Sequence, residues 1–502
     1  MALPEIKNER EEKNSDRSEV ETASVFKTQP RPLPPHPATF FSKQAPSQVP
    51  PPTPPQASRQ EPSQESVSKF SIKNLKFLIP VLFVLLIGLA GFLFWRSRPS
   101  FSPSKIVEVK YWGLWEPSSV MEGIMAEFER LHPNIKVSYE QQSIIDYRQR
   151  LQSALASGKG PDIFCFHNTW LPMFINDLDS VPPSVMDAAT FEAAFYPTVK
   201  QSLRYNSNYY GVPLMVDTLS LFYNKDIFTT NQVAVPKTWD EFRQVASRLT
   251  VRDETGRIQI AGASMGMTAN VDHWSDILGL MMLQNGVRMD KPYDEIAEQA
   301  LQFFMVFPKN DRVWDETLPS STLAFAGGKL AMYFGPSWRI INIRETNPDL
   351  IFGVAPVPQL PQSLIEGKQV AWASYWVEGV STRSVYKQEA WEFVKYIAEQ
   401  ETLERIYQAG SQAHYIGALY PRQDMASLLN DDSLLAPFVE QASYAQSWYL
   451  CSRTFDNGIN DAIIKYFEDA VNRALRDESS QLTTTVSEGV ASVLSKYGVA
   501  SQ

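Results

Sequence analysis

Residues 106–139 read IVEVKYWGLWEPSSVMEGIMAEFERLHPNIKVSY, and this stretch decides the fold class. Ile106–Trp112 alternates apolar and polar side chains, the period of a half-buried strand. From Val120 to Leu131 the period changes: Ile124, Met125, Phe128 and Leu131 recur at helical spacing. Ile135–Tyr139 alternates again. Strand, helix and strand in so short a segment form the unit that builds a mostly parallel sheet covered by helices, so the class is α/β.

Working outward, the same signals recur. Leu151–Ser157 reads as a helix ended by Gly158 and Gly160, and Pro161-Asp162 turns the chain into IFCF (163–166), a short buried strand. Thr238-x-x-Glu241 is a capping box, in which two side chains satisfy the orphan N–H groups opening a helix. Lys329–Phe334 alternates as a strand and runs into Gly335-Pro336-Ser337-Trp338, which places Trp338 at a strand's carboxyl end, where open α/β sheets bind ligands.

The front of the chain differs. Residues 1–76 cluster prolines with Gln, Ser, Glu and Lys and offer no apolar run able to order the chain, so a disordered tail is expected. Phe77–Trp95, FLIPVLFVLLIGLAGFLFW, carries no charge. As a helix it would span roughly 28 Å, close to the hydrocarbon thickness of a bilayer, and is read as one transmembrane helix. It lies too far from Met1 for an ordinary signal peptide, and neither a cleavage site nor a lipid-accepting cysteine accompanies it. An uncleaved anchor is therefore expected, followed by a linker at 96–104. Lysines before the helix and arginines after it leave the positive-inside rule undecided.

Composition narrows the function. At 502 residues the chain exceeds what one hydrophobic core accommodates, so two or more lobes are expected. A net charge of -10 argues against a nucleic-acid groove, which needs clustered Lys and Arg. His36, His132, His167, His273 and His414 show no metal-ligand spacing, and no phosphate-cradling G-x-x-x-x-G-K-[ST] loop occurs, so neither metal nor cofactor is expected. Cys165 and Cys451 are too few for a disulfide framework; two inert buried thiols are the favoured reading, one disulfide the alternative.

Three further groups of residues resemble one family. They are YWGLWEPSSVMEGIMAEFERLHPNIKVSYEQQ (111–142) with LQSALASGKGPDIFCFHNTW (151–170), then YGVPLMVDTLSLFYNKDIF (210–228) with VPKTWDEF (235–242). The third is AFAGGKLAMYFGPSW (324–338) with SYWVEGVSTRSVYKQEAWEFVKYI (374–397). In this order they are similar to the extracellular solute-binding proteins of sugar-type ABC transporters, the maltose-binding-protein-like family, over about residues 105–500. The resemblance implies a periplasmic-binding-protein-like type II fold, two α/β lobes with a hinge, here preceded by the transmembrane helix and tail. Lobe I is expected at 105–216 and 374–424, lobe II at 217–373 and 425–502. It further implies a binding protein, not an enzyme, that takes a small carbohydrate ligand and hands it to ABC transporter permease subunits. The binding domain would be extracytoplasmic, the protein single-pass in the membrane and the tail cytoplasmic.

A sugar pocket needs aromatic plates for C–H faces and carboxylates or amides for hydroxyls. Trp115 and Glu116 stand just beyond the first strand, Gln142 at the end of the second, and His167, Asn168 and Trp170 after IFCF. The resemblance puts Asp217 in the first hinge as a hydroxyl acceptor, and Trp338 and Trp448 as stacking plates. Trp274, Tyr375 and Trp376 are further candidates, though aromatics in such contexts also serve as core. Three rival readings stay open: a glycoside hydrolase using two of Glu116, Asp217 and Asp272; a tethered ligand sensor; and a binder of polyamines or glycerol phosphodiesters.

Overall fold

A computed structural model describes residues 87–89, 106–361, 368–478 and 482–499. The tail at 1–76, the linker and all of the span at 77–95 except 87–89, which are helical, lie outside the described residues. Among the described residues no helix is long and apolar enough to cross a membrane. Ser100–Gln502 forms one compact unit.

That unit is built on two five-stranded sheets and a three-stranded one. The opening segment folds as its pattern predicts: strand Val107–Gly113, helix Ser118–Leu131 and strand Ile135–Gln141, the two strands pairing in parallel from Val107↔Ile135 onward. The helix buries Val120, Met121, Ile124 and Phe128. Leu131, expected on that face, is half exposed, because it ends the helix beyond the sheet it covers. Strand Ile163–His167 adds in parallel on the other side of Val107–Gly113.

The expectation of mostly parallel sheets is corrected. Strand Trp376–Val380 joins the first sheet antiparallel to Ile163–His167, with Val212–Pro213 antiparallel beyond it. In the second sheet Ser220–Asn224 runs antiparallel to both Leu330–Gly335 and Phe352–Ala355, and only Ile258–Ala263 lies parallel to Leu330–Gly335. The reason is where the chain enters. Trp376–Val380 comes in from the end at which the parallel strands finish, so it must run against them, and Ser220–Asn224 enters the second sheet in the same way.

Those entries coincide with the third sheet. Asp217–Thr218 lies between Val212–Pro213 of the first sheet and Ser220–Asn224 of the second; Ala371–Ser374 lies between Phe352–Ala355 of the second and Trp376–Val380 of the first. These two strands pair antiparallel, Ser374 facing Asp217, and Ala445–Gln446 pairs in parallel with Ala371–Ser374. The two segments that join the first large sheet to the second, around 217 and 374, are thus tied into one small sheet, which is what a bilobed hinge requires.

Local chemistry supports these elements. The Thr238 hydroxyl accepts from the Glu241 N–H and Glu241 accepts in return, the full capping box opening helix Trp239–Leu249. Cys165 and Cys451 are both buried and unbridged, Cys165 inside the strand that its apolar neighbours predict.

Candidate functional site

Where the carboxyl ends of the two large sheets face each other across the three-stranded sheet, the protein encloses a cavity of about 400 Å³. Its floor comes from Asp217, Trp372 and Ser374, and its walls from loops after the strands of both lobes.

On the second-lobe side, strand Leu330–Gly335 ends in the turn that carries Trp338. The Ser337 N–H donates to both carboxylate oxygens of Asp217, at 3.1 and 3.0 Å, and its hydroxyl donates to Oδ2 at 2.7 Å. Burial pushes the Asp217 carboxyl up to about 6, against the pull of these donors. Asp217 thereby pins the turn, and the turn presents Trp338 to the cavity. Behind the indole, the Arg339 guanidinium carbon lies 4.3 Å from the ring centroid, and His273 meets it edge-on at 5.6 Å. Arg339 Nε donates to His273 Nε2 at 3.0 Å, and Arg453 bonds Asp272 at 2.6 Å. Although burial works against its ionised form, hydrogen bonds from Thr322 and the charges of Arg339 and Arg453 hold Asp272 down at about 2.

On the first-lobe side, Trp115 is 44% exposed and meets the ring of Trp376 edge-on at 5.3 Å. Trp376 also packs edge-on against His167 at 5.0 Å, giving the wall an aromatic step. Glu116 lines the same wall, and burial pushes its carboxyl up to about 7.

The residues singled out in the sequence divide cleanly. Trp115, Glu116, His167, Asp217, Trp338 and Trp376 line the cavity. Trp170 does not: it is fully buried, stacked on Phe174, because the turn Asn168–Trp170 carries it back under the sheet. Tyr375 is likewise fully buried, at the single residue between strands Ala371–Ser374 and Trp376–Val380, its hydroxyl donating to the Thr198 carbonyl at 3.4 Å, while Trp376 lines the cavity. Asn168 is buried and bonded to the Ser447 hydroxyl (2.8 Å) and the Tyr375 N–H (3.2 Å). Gln142 uses its N–H to bond the Gly113 carbonyl and stands apart from the cavity wall, as do Trp274 at its helix start and Trp448, which packs on Tyr449. Sequence reasoning passed over Trp372, Ser374 and the loop Ser452–Phe455, whose Arg453 and Phe455 adopt positive φ of 59° and 48°. Only the hinge position of the first two, Trp372 two residues before the quoted SYWVEGV and Ser374 its first residue, could have drawn attention to them.

Two lobes joined by a small hinge sheet around an aromatic-walled cavity define a solute-binding architecture. Residues 114–403, more than half of the chain, match the bacterial extracellular solute-binding proteins, and this chain belongs to that family. It is a binding protein, not an enzyme. A maltotriose-binding protein of Pyrococcus abyssi is 23% identical over 348 residues, covering 65% of this chain and 68% of its own. A multiple sugar-binding protein of Streptococcus mutans is 24% identical over 340 residues, 62% of this chain and 76% of its own. In fold, the chain is similar to the sugar-binding protein MalE of Xanthomonas citri, with a TM-score of 0.63 at 21% identity, over 78% of this chain and 98% of that one.

Proposed function

We propose that this protein captures a sugar or oligosaccharide in the cavity between its lobes and delivers it to an ABC transporter permease. The observation that carries the reading is the pairing of indole plates with carboxylates in one cavity: Trp115, Trp338 and Trp376 offer faces to C–H surfaces, and Glu116 offers an acceptor to hydroxyls. The sugar-binding names of the relatives support it. Lobe I comprises 105–216 and 374–424 and lobe II the rest of the globular part, so ligand bound to one lobe gains contacts from the other on closure. A helix over 77–95 tethers the binding domain outside the cytoplasm, with the tail inside, and raises its effective concentration at the permease.

Calorimetric titration of the full-length chain with maltotriose, maltotetraose, mannobiose and diacetylchitobiose, with spermidine and glycerophosphodiesters as controls, tests the reading. Saturable binding of a saccharide alone supports it; binding of a control alone, or no binding at all, rejects it. Loss of saccharide uptake on deletion separates delivery from sensing.

Glu116 makes that binding proton-linked. If ligand hydroxyls donate to its carboxylate, a proton must leave a group poised near neutrality before the ligand binds, so affinity falls as pH drops from 8 to 6, by about tenfold in all. Titrations at pH 7 in buffers of different ionisation enthalpy should show proton release, and Glu116→Gln should give a flat profile. A flat wild-type profile rejects Glu116 as the acceptor.

A further inference from the structure

His167 lines the cavity, yet both of its ring nitrogens are already engaged by the protein. Its Nδ1 accepts from the Thr169 N–H at 3.3 Å, so that nitrogen carries no proton. The Thr169 hydroxyl, 2.7 Å from the same Nδ1, must then be donating to it. Its oxygen in turn accepts from Asn460 Nδ2 at 2.7 Å. The orientation of that amide is set by Asp456, whose Oδ2 accepts from the same Nδ2 at 2.9 Å; the reversed amide would turn its oxygen on a carboxylate. Asp456 is anchored by three backbone donors, the N–H groups of Gly458, Asn460 and Asp461.

The polarity of the chain follows from this end. With Nδ1 an acceptor, the proton of neutral His167 sits on Nε2, which donates to Ser374 Oγ at 3.0 Å. Burial keeps the imidazole from protonating, its titration being pushed down to about 3, so the donor stays in place across the neutral range. Ser374 therefore accepts from His167 and keeps its own proton free to give. Among the described residues the partner offered to that proton is the Cys451 sulfur, a weak acceptor. Ser374 is only partly buried, on the cavity floor beside Asp217.

We infer that Ser374 reads the ligand as a hydrogen-bond donor, its proton aimed at an acceptor oxygen of the ligand by the relay Asp456, Asn460, Thr169 and His167. The inference rests on the saccharide reading above. His167 is then a positioning residue, and the ligand atom over the hinge is an acceptor: a ring, glycosidic or hydroxyl oxygen. The relay also joins three distant parts of the chain at the cavity floor, so the polarity of the site is decided by residues about 290 positions apart.

The test has two arms. In the first, ¹⁵N-histidine spectra of the full-length chain, with the His167 signal assigned by its loss in His167→Gln, should show a neutral ring protonated on Nε2 from pH 6 to 8, and a changed tautomer population in Thr169→Val but not in Thr169→Ser. A wild-type ring protonated on Nδ1, or charged in that range, overturns the relay. In the second, the tightest-binding saccharide of the panel should lose about tenfold in affinity with Ser374→Ala and with Thr169→Val, while Thr169→Ser binds as wild type. Wild-type affinity in Ser374→Ala overturns the contact. If no saccharide binds the wild-type chain, the saccharide reading fails and the spectra alone decide the relay.

Discussion

Trp338→Ala lowers saccharide affinity by about 2–4 kcal/mol, roughly 30- to 1000-fold, while leaving the thermal transition close to wild type. The indole is poised for this effect because it is fixed from behind and open in front: Arg339 covers one face at 4.3 Å, His273 braces the edge, and the cavity takes what remains. A plate whose position is already set loses little conformational freedom when a sugar stacks on it, so most of the contact energy appears as affinity. Asp217 belongs to the same argument, since it pins the Ser337 turn. Trp448, which the family resemblance marks as an equal partner, lies outside the cavity wall, and Trp448→Ala should change affinity by less than about 1 kcal/mol. Titration of both variants against one saccharide decides the matter; equal losses would place ligand beyond the cavity described here, and no loss in either would remove Trp338 from the site.

The second large effect concerns stability. Glu378 lies in strand Trp376–Val380, 5% exposed, paired across to Cys165 on one side and Val212 on the other. Burial pushes its carboxyl up to about 8; the Cys165 thiol and Tyr111 hydroxyl face it and pull the other way, and Glu116 adds a like charge. Among the described residues its Oε2 finds no hydrogen-bond partner. A folded-state value above the unfolded one means that the native protein holds a proton the unfolded chain has released, so stability falls as pH rises toward 8 and levels off above it. Between pH 7 and 8 the loss should be about 1 kcal/mol. The raised groups Asp217 and Glu116 act at and below about 7. The lowered imidazoles of His167 and His273 act with the opposite sign, below the ordinary histidine value of 6.5. Glu378→Gln should remove most of the pH 7–8 slope, leaving the smaller contribution of Glu116, and raise the melting temperature at pH 8. A wild-type melting temperature constant from pH 7 to 8 would show that Glu378 is ionised in the native protein.

The sequence by itself determined the local elements and the family. Alternation and helical spacing in 106–139, the Thr238–Glu241 box and the apolar IFCF strand each act through neighbours a few residues away, and such interactions leave a pattern in a linear chain. It also identified hinge and strand-end residues as the ones to examine, and several of them line the cavity. Tertiary structure decided which side chains reach it. Trp115 and Trp170 both follow strands, but one projects into the cavity while a single turn folds the other into the core; Tyr375 and Trp376 are neighbours in the chain, one buried in the core and the other lining the cavity. Strand direction was decided in the same way, by the end from which the returning chain enters each sheet. The donor character of Ser374 lies deepest, because it depends on Asn460 meeting Thr169 and His167 meeting Ser374, contacts made only after both lobes and the hinge sheet have come together.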